Sequence, residues 1–328
     1  MSRRADPART GSRAASARDS GAAREKPGVA RRLVPVAVVL VAAIGLGAWW
    51  LADDPDDRPL GPIGHVHALA APTWSDGTLW VGTHHGLLTW TDAQGWRAVG
   101  AATHDFMGLA ADPERPNVLY GSGNPDLRTD HVNPLGLVVS EDGGRTWEAR
   151  ALAGRSDFHA MVTTPDGAIW GWDAMRAELT RSVDRGASWP EGGVGEAPVD
   201  LVFALSPTPD APDAVFAATT SGLWRTDVDG VWGPAAFAGT PVTAVNLGSD
   251  DSVWAYVAAT EGGLMRRGDT DAWSSVPLRL DPGVAVIAIT TDPNDPDRVF
   301  AAATDGSVLY SVDAGASWTP ILEHADPR

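Results

Sequence analysis

Beyond residue 60 the chain is built from short apolar runs separated by turns, and no stretch shows the 3.6-residue periodicity of an amphipathic helix. Val284-Ala-Val-Ile-Ala-Ile-Thr290 is a typical run. A turn rich in Asp, Pro and Gly follows, then a run with one large aromatic at a matching place: Trp80, Tyr120, Trp170, Phe216, Trp254 and Phe300. Two more short runs flank a second Asp/Gly turn. Short runs bounded by turn residues read as strands, so each unit is expected to hold four of them. The second turn recurs in three close copies: Ser140-Glu-Asp142-Gly-Gly144-Arg-Thr-Trp147, Ser182-Val-Asp184-Arg-Gly186-Ala-Ser-Trp189 and Ser311-Val-Asp313-Ala-Gly315-Ala-Ser-Trp318. Degenerate copies end at Trp96, Trp232 and Trp273, and successive tryptophans lie 51, 42, 43, 41 and 45 residues apart. A four-strand unit repeating six times at that period predicts an all-β fold, a six-bladed β-propeller over residues 61–323. The long interval holds an insertion from Gly123 to Pro134. Blade 6 supplies its own outer strand from Trp318 to Leu322, so the ring is expected to close by packing rather than by a strand borrowed from residues 58–64.

The pattern before residue 60 is different. Residues 1–32 carry nine Lys/Arg and three Asp/Glu with almost no aliphatic side chains, the composition of a disordered basic tail. Residues 33–52, Leu33 to Ala52, are uncharged and mostly apolar, which matches the roughly 20 residues a helix needs to cross a bilayer. Arg31 and Arg32 precede them, Trp49 and Trp50 mark the far end, and an acidic linker follows over 53–60. The basic leader orients the segment with the N-terminus in the cytoplasm, as an uncleaved signal-anchor of a single-pass cell-membrane protein with an extracytoplasmic propeller. Residues 324–328 are read as a short tail.

Composition narrows the chemistry. The chain has 328 residues and a net charge of −17, so nucleic acid is not expected as a partner. It has no cysteine, which excludes disulfides, thiolate metal sites and thiol catalysis.

The three Ser-x-Asp-x-Gly-x-x-Trp copies resemble the Asp-box (BNR) repeat of sialidases and, more distantly, of Vps10/sortilin-type propellers. His65-Val-His67-Ala-Leu-Ala with Thr83-His84-His85-Gly-Leu-Leu makes residues 60–322 resemble small bacterial membrane-anchored propellers labelled glycosyl hydrolase or exo-sialidase-like. For the box residues Ser140, Asp142, Gly144, Trp147, Ser182, Asp184, Gly186, Trp189, Ser311, Asp313, Gly315 and Trp318 the chemistry is structural: Asp binds backbone N–H groups in a tight turn, Gly permits positive φ, and Trp wedges into the blade. Sialidase activity would need an arginine triad and a catalytic tyrosine. No first strand here carries an arginine, and Tyr120, Tyr256 and Tyr310 have no catalytic place, so a conventional sialidase is not expected.

Seven of the eight histidines fall between residues 65 and 159. In a propeller the first strand of each blade lines the channel. Aligning those strands sets His65/His67, Asp105/Met107 and Asp157/His159 at equivalent places, against Leu201/Phe203, Pro241/Thr243 and Ala285/Ile287 in the other blades. The loops after the second strands add His84 and His85, then Asn124, Asp126, Arg128, Asp130 and His131, then Asp173; His104 lies just before its strand. A lone histidine in a channel ordinarily bonds buried backbone. Six ligand-type residues at three matching positions point to a site instead.

His, Asp and Met without Cys suit a divalent transition metal or copper better than calcium. Convergence of His65, His67 and His159 would support that metal. The leading expectation is a membrane-tethered binding propeller for a metal ion or small polar ligand. The second is a glycoside hydrolase using Asp105 and Asp157, with a glycan as substrate. The third is an assembly scaffold for another envelope protein, which an exposed rim aromatic such as Trp172 would favour.

Overall fold

The computed structural model describes residue 60 and residues 63–323 apart from 198–200, 212, 261, 269 and 271. The basic tail, the apolar segment 33–52, nearly all of the acidic linker and the tail 324–328 lie outside the described residues. Among the described residues no helix is long and apolar enough to cross a membrane, and every regular element is a strand.

The strands form six antiparallel sheets, each made of consecutive strands paired only with their chain neighbours. These are the six blades. Their innermost strands are Val66–Ala70, Asp105–Ala111, Phe158–Thr163, Val202–Pro207, Val242–Leu247 and Val286–Asp292. Among the described residues five sheets have four strands and blade 3 has three, against the expected four. After Trp189 its chain runs Pro190-Glu-Gly-Gly-Val-Gly-Glu-Ala197. Proline lacks the ladder donor and glycine weakens a strand, so over residues 190–197 this edge keeps a backbone bond from Val194 to Leu179 (2.6 Å) without forming a strand.

The repeated turns hold each blade against the one before it. In all three close copies the Ser Oγ accepts the Gly N–H (2.8–2.9 Å), and Asp Oδ1 accepts the backbone N–H four residues on (2.8–2.9 Å). Gly144 and Gly186 adopt positive φ, and a Cβ there would run into Leu87 and Leu137 of the preceding blades. The six repeated aromatics are at most 8% exposed. Closure between blades 6 and 1 is by packing: Trp90 meets Phe300 and Tyr310, Arg298 pairs with Asp92 (2.9 Å), and Trp96 Nε1 donates to the Ile321 carbonyl (2.6 Å). Blade 6 carries its own outer strand, Thr319–Leu322.

What positions the channel residues is a bulge repeated six times. At or next to the start of each inner strand stands a residue at most 1% exposed: Val66, Phe106, Phe158, Val202, Val242 or Val286. The next residue, His67, Met107, His159, Phe203, Thr243 or Ile287, is skipped in the pairing register. A bulge leaves its extra residue unpaired and re-aims the side chain. All six bulged residues are half-buried, each following a fully buried neighbour. In blades 2 and 3 the neighbour is locked from below, because Phe106 packs on Trp147 and Phe158 on Trp189. The residue after the bulge is always Ala or Gly, and a side chain at Gly108 would meet the backbone of Phe158 in the next blade.

Candidate functional site

Blade 1 contributes two histidines. His67 is its bulged residue. His84 comes from the tight turn Thr83-His84-His85-Gly86, in which Thr83 Oγ1 accepts the His85 N–H (3.0 Å) and donates to the Gly86 carbonyl (2.8 Å). The backbone N–H of His84 also bonds the His65 carbonyl (3.3 Å). This turn points the two side chains differently. His84 leans over His67, with ring centres 4.3 Å apart, while His85 is exposed.

Blade 2 adds Asp105, the first residue of its inner strand. Asp105 Oδ1 lies 2.8 Å from His84 Nδ1 and 3.8 Å from His67 Nε2. Its Oδ2 accepts from Asn124 Nδ2 (3.2 Å) on the facing strand. His67 Nε2 is 3.3 Å from His84 Nδ1 and 3.2 Å from His84 Nε2. One ligand atom from each of His67, His84 and Asp105 therefore lies within 4.8 Å of the other two, the only such His/Asp/Glu group among the described residues. Burial, with His84 adding to it, pushes the His67 imidazole down to about 4, although Asp105 pulls the other way. At neutral pH His67 is thus uncharged, and one of its ring nitrogens carries a lone pair that can accept a hydrogen bond or bind a cation.

Blade 3 supplies a second, separate pair. His159 Nε2 lies 3.0 Å from Asp157 Oδ2, and that bond raises the His159 pKa above the ordinary imidazole range. Asp157 Oδ1 is buried without a hydrogen-bond partner. Beneath it, buried Asp173 accepts from Asp157 N (3.3 Å), Met175 N (3.0 Å) and Arg176 Nη1 (2.6 Å), and Arg176 also donates to Ser156 Oγ (2.9 Å).

The remaining candidates sit elsewhere. His65 is exposed and touches the cluster through the His84 ring, at 5.6 Å between centres. Met107 is half-buried at its bulge, between the two histidine-bearing blades. His104 is 1% exposed, accepts the Asp126 N–H at Nδ1 (2.9 Å), and packs on Phe106 and His131. Its pKa is pushed down to about 4, chiefly by burial. It supports the blade 2 insertion, where Asp126 also holds Thr103 and Arg128. The converging residues are therefore His67, His84 and Asp105, in place of the expected His65, His67 and His159. Asn124 and Asp173 read in the sequence only as loop residues. Arg176 was missed, and its signal is the three-residue spacing from Asp173 within a turn.

Below the cluster the channel holds a cavity of about 240 Å³. His67 and His159 line it on one side, and Phe203 and Ile287 on another. No arginine or tyrosine is among its described lining residues. Tyr120 sits instead in a blade, donating to buried Asp112 (2.8 Å). Trp172 is 1% exposed, so it offers no rim surface to a partner.

No family model matches this chain, and no curated protein matches it in sequence. Solved structures do match. One is a GH74 xyloglucanase from Xanthomonas campestris, with 20% identity and a TM-score of 0.54 over 80% of this chain. Another is a GH74 enzyme from Niastella koreensis, with 15% identity and a TM-score of 0.56 over 81% of this chain. This chain spans 46% of the length of each. A third is YCF48 bound to a D1 peptide, with 16% identity and a TM-score of 0.50, covering 82% of this chain and 86% of that one. At these identities the likeness establishes the fold alone, a β-propeller with GH74 enzymes among its structural neighbours.

Proposed function

We propose that this chain is a membrane-anchored, extracytoplasmic Asp-box propeller that binds a divalent transition metal at its channel mouth through His67, His84 and Asp105. The observation that carries the reading is the size of the cluster. A tetrahedral ion with bonds of about 2.0–2.1 Å has ligand atoms roughly 3.3 Å apart. The three separations here are 2.8, 3.3 and 3.8 Å. Two imidazoles and a carboxylate suit zinc or copper, whereas calcium prefers an all-oxygen shell. Asn124 would act from outside the cluster by holding the carboxylate in place. Three protein ligands leave a fourth position open to water or a ligand. The apolar segment 33–52 behind a basic leader supports the membrane tether.

Hydrolysis of a glycoside is the weaker reading, because it calls for two carboxylates free to act on one bond. Asp105 has both oxygens engaged, and Asp157 is tied to His159.

The test is equilibrium dialysis of the full chain in detergent, stripped with chelator, against Zn²⁺, Cu²⁺ and Ca²⁺ separately. About one equivalent of zinc or copper is expected. His84→Ala should weaken it by well over the roughly 10–100-fold typical of losing an outer partner. Thr243→Ala should leave it unchanged. Absence of stoichiometric uptake, or uptake indifferent to His84→Ala, would refute the reading.

A further inference from the structure

The channel is two-sided at a single level. Because the same bulge recurs in every blade, His67, Met107 and His159 face Phe203, Thr243 and Ile287 across one ring. The cavity touches both sides, with His67 and His159 on the polar part and Phe203, Ile287, Leu205 and Ile289 on the apolar part. Its volume is about 240 Å³. A dry apolar cavity of about 150 Å³ takes up benzene, so this one has room for a molecule of about ten non-hydrogen atoms.

The polar side favours an anion. His159 directs Nε2 to Asp157, which leaves Nδ1 as the other hydrogen-bonding edge of the ring. The bond to Asp157 favours the protonated imidazolium, which would donate from Nδ1. A divalent ion held by two neutral imidazoles and one carboxylate would keep a net positive charge with an open position. Asp157 neutralises that imidazolium, so in a chain of net charge −17 the net attraction for an anion comes from the bound ion, and His159 Nδ1 adds a directed donor beside it.

From this arrangement we infer that the channel is the binding site for a small amphiphilic carboxylate, with its head between the metal and His159 and its apolar body against Phe203 and Ile287. The inference rests on the metal reading above and names the ligand class of that same site.

The probe is 4-methylbenzoate, which has the required size and a single carboxylate. Its binding to the zinc-treated full chain in detergent is followed by calorimetry, with empty micelles as the blank and zinc content measured on the same samples. One molecule per chain is expected, with affinity at least tenfold above that of acetate, which lacks the body, and of 4-methylbenzyl alcohol, which lacks the charge. Ile287→Asp and His159→Ala should each weaken 4-methylbenzoate at least tenfold while zinc uptake stays at the native level. Ile287→Val, the gentler change, should retain both and guards against misfolding of the Asp variant. If the chain takes up zinc but binds 4-methylbenzoate no better than acetate or the alcohol, the inference falls and the metal reading stands. If 4-methylbenzoate binds with the expected losses in a chain that takes up no zinc, the carboxylate site stands on His159 and the metal reading falls.

Discussion

In blades 1 to 3 the bulged channel residue is His67, Met107 or His159, and in blades 4 to 6 it is Phe203, Thr243 or Ile287. The backbone is the same in both halves. So are the fully buried residue before the bulge and the small residue after it. The propeller therefore dictates where these side chains go and leaves their chemistry free. In one half Phe203 and Ile287 fill the position with Thr243 between them, whereas His67 in the other is buried enough to push its pKa down to about 4. A histidine that resists protonation at a place where Ile or Phe also fits is not there for the stability of the ring. The contrast separates what the fold requires from what a site requires.

The largest effect should come from the shared framework. Phe106 is fully buried on Trp147, and Phe106→Ala should cost about 3–5 kcal/mol in denaturant unfolding of the full chain. Val242→Ala, at the equivalent place in blade 5, removes less volume and should cost less. A Phe106→Ala loss confined to metal binding, with stability unchanged, would contradict a common framework.

The next effect should fall on one half only. His67 and His104 have folded pKa values near 4, below the 6.5 of free imidazole, so the unfolded chain takes up protons first. Their contribution is complete above pH 6.5 and is lost as pH falls toward 4, by up to about 1.4 kcal/mol per pH unit for each histidine. His159 has a raised pKa and acts in the opposite sense, its contribution fading as pH rises through the folded value. In metal-free protein, His67→Met should flatten the acid limb by one proton, and Thr243→Met should not. Equal slopes for the two variants would break the comparison. The smallest effect should be that of Ile287→Val, about 0.5–1.5 kcal/mol, without change in metal uptake.

The blades and the alignment of their inner strands were legible in the sequence because the turn motif and the repeated aromatic set the register independently. The three-stranded blade 3 was also written there, in the Pro/Gly run after Trp189, but the regularity of the repeat argued for a fourth strand. Strand parity separates His104 from Asp105. His104 shares its side with buried Phe106, whereas Asp105 shares the channel side with Met107. What the pattern did not carry was the choice between His65, His84 and His85. That depends on the Thr83 hydrogen bonds, which shape a four-residue turn, and on Asp105 lying within 2.8 Å of His84 from another blade.

The central claim is that His67, His84 and Asp105 hold one metal ion together. Anomalous diffraction at the zinc edge, from crystals grown with Zn²⁺, tests it most directly. The account predicts one strong peak about 2.0–2.2 Å from a nitrogen of His67, a nitrogen of His84 and an oxygen of Asp105. A channel without a peak there, or a peak held by other residues, would contradict it.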